Sequence, residues 1–91
     1  MVIQSQDMKW VLNSDLVVGY FIDKHTDYSS CEKTQSPKVV YRILATIPAD
    51  DEFNILGVYK EKARAQVELD AFAVNLAANL RYYHFMEDAD E

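Results

Sequence analysis

The chain has 91 residues, about half of them apolar, and its 15 acids outnumber nine bases to give a net charge of −6. That length fits one domain, and an acidic balance argues against direct phosphate binding, which takes concentrated Lys and Arg. The lone cysteine, Cys31, excludes an internal disulfide and fits a reducing compartment.

Gln4, Gln6, Asp7 and Lys9 stand where a signal peptide would need an apolar core. No window approaches the roughly 18 apolar residues of a membrane span. A soluble, cytoplasmic protein is expected. Val2 to Gln6 and Trp10 to Asn13 are short strand-like runs around a turn at Asp7-Met8-Lys9. Asn13-Ser14-Asp15 is a second turn signal. Leu16 to Ile22 is β-prone, with Gly19 marking a bulge. Asp23 to Lys38 is polar and reads as an exposed excursion between strands.

Val39 to Ile47 is the clearest strand. Val39, Tyr41, Ile43, Ala45 and Ile47 share one face, and Val40, Arg42, Leu44 and Thr46 share the other. Pro48 to Phe53 is a hairpin connection carrying Asp50, Asp51 and Glu52, and Ile55 to Tyr59 is the last strand. A helix then enters at about Glu61. Ala65, Leu69, Phe72, Leu76, Leu80 and Tyr83 recur at spacings of four and three, which predicts one apolar stripe reaching Tyr83, with Arg64, Glu68 and Asp70 mostly off it. The expectation is an α+β fold, an antiparallel meander sheet of about five strands covered by one long C-terminal helix. Residues 1–86 form the domain and 87–91 an acidic tail. Leu69, Phe72, Leu76, Tyr41 and Ile43 are the expected core, and the last helical turns overhang the sheet.

Two stretches carry a resemblance. One is Ile3-Gln4-Ser5-Gln6-Asp7 with the strand around Val11-Leu12-Asn13; the other is Ile55-Leu56-Gly57-Val58-Tyr59 followed by Arg64-Ala65 and Leu69-Asp70-Ala71-Phe72. They resemble a group of small proteins common in Gram-positive bacteria and their phages and prophages, in which a terminal strand reading I-R-S-Q-D, a later strand ending L-G-x-Y and a helix with R-A and L-D recur. The resemblance covers both ends of the chain, leaves residues 14–54 unanchored and implies no activity. Where that group often has a Ser or Thr helix cap, this chain has Glu61, a poorer cap that favours the helix dipole.

His25, Asp27, Cys31 and Glu32 are metal-ligating residue types in one polar stretch, but their spacing matches no established site, so no metal or other cofactor is expected. Cys31 near His25 has no orienting acid, and no catalytic role is expected. Tyr82-Tyr83-His84-Phe85-Met86 is the stronger candidate. On a helix these five would point all round, so Tyr82, Tyr83, Phe85 and Met86 are expected at an interface, with a frayed end as the alternative. Asp50, Asp51 and Glu52 with the tail acids suit a basic protein surface and imitate DNA phosphates; equally, they serve solubility. The functional expectation is a non-catalytic accessory protein of phage or mobile-element origin that binds another protein. Its sharpest version is an acidic inhibitor of a host nucleic-acid-binding or defence protein such as a CRISPR nuclease. The alternative is a structural or self-assembling homodimer. Neither version takes a small-molecule substrate, a membrane or nucleic acid directly.

Overall fold

The computed structural model describes residues 1–9, 11–27, 38–48 and 53–88. Their order is β1 (Val2–Gln4), β2 (Val11–Asn13), a 3-10 turn (Ser14–Leu16), β3 (Gly19–Asp27), β4 (Lys38–Thr46), β5 (Asn54–Tyr59), α1 (Lys62–Ala77) and β6 (Tyr82–His84). The class is α+β, as expected. In place of one five-stranded meander, the described strands form two three-stranded sheets, ordered β2-β1-β6 and β3-β4-β5.

Only the second sheet is an antiparallel meander. In it Tyr20 pairs with Ala45, Ile22 with Ile43, and Ile43 with Gly57, with a register shift between Ile43 and Leu44 that places Leu56 as an extra residue. Gly57 permits this geometry: a Cβ there would stand 2.8 Å from Cε2 of the Tyr59 ring. β3 continues to Asp27, so His25 lies on a strand rather than in a polar excursion. Gly19 begins that strand instead of bulging it.

The first sheet joins distant parts of the chain. β1 runs antiparallel to β2 and parallel to β6, with Ile3 opposite both Leu12 and Tyr83. Gln6 links the two sheets. Its N–H donates to the Leu56 carbonyl at 2.8 Å, and its side-chain amide takes the Val58 N–H and gives a hydrogen to the Val58 carbonyl. One glutamine thus serves the outward backbone groups of β5 as a neighbouring strand would.

The helix is shorter than its stripe. It begins at Lys62 after Glu61, which caps with no side-chain hydrogen bond. It ends because Asn79 adopts φ 59°, the left-handed region that asparagine tolerates. The Asn79 N–H then reaches the Leu76 carbonyl and the Leu80 N–H the Asn75 carbonyl, a Schellman ending. Leu80 and Tyr83 therefore leave the helical stripe.

Ile3, Ile43, Ala45, Leu56, Tyr59, Ala65, Phe72 and Phe85 form the buried core. Phe72 is its hub, with ring centroids 4.8 Å from Tyr20, 5.3 Å from Tyr83 and 5.0 Å from Phe85. Of the expected core residues, Ile43 and Phe72 are fully buried, while Tyr41, Leu69 and Leu76 are half-buried against the cluster. Leu76 stays partly open because it lies in the last helical turns, beside a cleft it shares with Met1, Leu80 and Arg81.

Candidate protein-binding surface

The aromatic end of the chain is a strand and strap, not a helix end. Strand alternation separates its side chains: Tyr82 is exposed, Tyr83 half-buried, and Phe85 has no exposed surface. Met86 points out again, 56% exposed. Phe85 therefore fills the chain's own core. The expectation of five side chains pointing round a helix is corrected by the Asn79 stop.

The strap is held by a residue that the helical pattern conceals. Glu68 lies between Ala65 and Phe72 on the buried face and is 4% exposed. Its Oε2 accepts from the Tyr83 hydroxyl at 2.8 Å and the Met86 N–H at 3.1 Å, and its Oε1 pairs with Arg64 at 3.1 Å. Further bonds run beside it. The Tyr59 hydroxyl donates to the Met86 carbonyl at 2.6 Å, Arg64 donates to the Glu87 carbonyl, and the Asp88 carboxylate accepts from the Lys60 N–H at 2.9 Å. The acids at positions 87 and 88 are thus tied to the start of the helix; positions 89–91 lie outside the described residues.

These contacts set a pH response. Burial, reinforced by the charge of Glu68, pushes the Tyr59 phenol well above its ordinary value of 10.0. Burial and then the hydrogen bond to Glu68 do the same for Tyr83. A group whose pKa rises on folding gives its full contribution below the unfolded value and loses it as pH climbs. Stability should therefore hold to about pH 10 and then fall, by up to about 1.4 kcal/mol per pH unit through Tyr59. Urea midpoints at neutral pH and on either side of pH 11 measure this, and Tyr59→Phe should flatten the fall. An unchanged midpoint across that range would contradict the burial of both phenols.

The exposed apolar surface lies elsewhere. α1 packs on the side of the β3-β4-β5 sheet that carries Ile43 and Ala45. The opposite side carries Phe21, Leu44 and Ile55 in register, with Phe53 edge-on to Phe21 at 5.2 Å. The bidentate pair of Arg42 and Asp23 stands next to them. Leu44 is buried, but Phe53 is 57%, Ile55 40% and Val58 37% exposed. Across from them stands Val11 of β2, 59% exposed. Together with Leu12 and Asp7 these residues line a cleft of about 650 Å³ between the two sheets.

Asp50, Asp51 and Glu52 lie outside the described residues, as do Cys31 and Glu32. Among the described residues no three His, Cys, Asp or Glu side chains converge on a metal position, and no helix is long and apolar enough to cross a membrane. Compared with known proteins, the chain matches no family model, no curated protein and no solved structure. The surface itself is then the basis for a functional reading. The sequence does not reveal it, because Ile55 and Val58 look like ordinary strand residues and Phe53 like part of a hairpin connection until β2 is brought opposite them.

Proposed function

We propose that this chain is a non-catalytic accessory protein that acts in the cytoplasm by binding another protein. The observation that carries the reading is the exposed apolar group of Val11, Phe53, Ile55 and Val58 beside a cleft. Contiguous apolar surface on a small domain costs solubility unless it is used, and apolar and aromatic side chains are what interface centres contain. Its sharper form is an acidic inhibitor of a nucleic-acid-binding protein, of the kind phages and mobile elements carry. The net charge of −6 and the resemblance at both chain ends support that form. The test is affinity capture from cells of the encoding organism, followed by a mobility-shift assay on the captured protein. One enriched partner, whose grip on nucleic acid weakens as the chain is added, is the expected result. A partner whose nucleic-acid binding is untouched would overturn the inhibitor form, and no enrichment over a control would overturn the protein-binding reading. Self-association is the second reading, favoured by Val2 and Tyr82, exposed side by side on β1 and β6; sedimentation equilibrium of the concentrated protein decides it.

A further inference from the structure

The cleft between β2 and β5 restricts its occupant. Of its apolar lining, Val11, Phe53, Ile55 and Val58 each keep a third or more of their surface exposed, while Leu12 and Ile47 are half-buried. It is a shallow trough, and a small molecule lying in it would remain largely in water, unlike ligands in enclosed pockets. Backbone pairing along the outer edge of β5 is already used, since Gln6 engages the backbone at both Leu56 and Val58. Recognition must then come from side chains: apolar anchors against the trough and a charge at its mouth. Among the described residues Asp7 is the one charged residue lining it, and no Lys or Arg does so. The Ser5 hydroxyl, and after it the Lys9 N–H, hold the Asp7 carboxylate below its usual range, so it is ionised at any physiological pH. The whole chain adds an attractive field for cations.

We infer that this trough binds an extended segment of a partner protein in which apolar side chains alternate with Lys or Arg, the apolar ones resting on Phe53, Ile55 and Val11 and a basic one meeting Asp7. An extended segment shows successive side chains to opposite sides, so alternation turns the apolar ones to the trough and the basic ones to its open side, from which a long Lys or Arg side chain bends back to the exposed Asp7 at the mouth. The inference rests on the protein-binding reading, and the two fail separately: a captured partner that still binds after Phe53→Ser would keep that reading and end this one.

The test is an amide NMR titration of the full chain with three synthetic heptapeptides: alternating Lys-Leu, alternating Glu-Leu and alternating Lys-Ser. Shifts confined to Asp7, Val11 and residues 53–58, seen with Lys-Leu and much weaker with the other two, are expected. Phe53→Ser should weaken that binding about tenfold or more, since it removes an exposed aromatic anchor. Asp7→Asn should weaken it about two- to fivefold, the range of an exposed ion pair, and added salt should mimic it. Equal shifts with Glu-Leu, shifts outside the trough, or none with any peptide would overturn the inference. So would the same shifts on raising protein concentration alone, because a second copy would then be the occupant.

Discussion

Replacing Phe85 by alanine is expected to cost about 3 to 5 kcal/mol of stability, the range for removing a large aromatic side chain from a core. The side chain has no exposed surface and packs on Phe72 at 5.0 Å and Tyr83 at 5.2 Å. A domain of this size has about 5 to 15 kcal/mol in total, so the variant should approach unfolding at moderate temperature. Met86→Ala, one residue on but exposed, should change stability by less than about 0.5 kcal/mol. Urea denaturation of the pair measures the contrast. Equal small effects would mean that Phe85 sits at the surface and that the strand after Asn79 does not form.

Glu68→Ala should be the second large loss, about 3 kcal/mol. The carboxylate is buried yet fully engaged, by the Tyr83 hydroxyl, the Met86 N–H and Arg64. Taking it away leaves two part-buried donors, the Tyr83 hydroxyl and the Met86 N–H, without their acceptor. Arg64 can turn partly to water, since its side chain is 28% exposed, and it keeps its stacking 5.0 Å from the Tyr59 ring. The loss therefore falls below that of a fully enclosed ion pair. Hydrogen exchange should localise the damage: the Phe85 and Met86 amides lose protection while those of β4 keep it. Glu68→Gln should recover part of the stability, because its amide oxygen still accepts one bond. Uniform loss of protection would contradict a strap held chiefly by Glu68.

Local pattern revealed the parts of this fold that depend on local pattern. The alternation of residues 39–47 located β4 and its inner face, and the spacing of Ala65, Leu69 and Phe72 located the helix. Its end was concealed by coincidence: Leu80 and Tyr83 continue the four-and-three spacing, although Asn79 supplies the left-handed stop. The pair asparagine-leucine does not mark the boundary by itself, because it also stands inside the helix at Asn75-Leu76. The split into two sheets was not legible, because β1 pairs with β6 from the far end of the chain and no turn signal encodes such a partner. Glu68 escaped as well. Its position between Ala65 and Phe72 puts it on the buried face, but a carboxylate is expected outside unless its partners are known, and those partners, Tyr83 and Met86, come from β6 and the strap after it, where a helix end was expected. The trough depends on the same long-range pairing, since β2 faces β5 only once β1 and Gln6 are in place.

The claim that the trough, and not the aromatic end, is the working surface can be tested by one comparison. Two double variants alter exposed side chains only: Phe53→Ser with Ile55→Ser, and Tyr82→Ser with Met86→Ser. Each is used beside the parent for affinity capture from cells of the encoding organism, with the bound protein quantified by mass spectrometry. The account predicts that the first variant loses the partner and the second retains it. Retention by the first and loss by the second would contradict it.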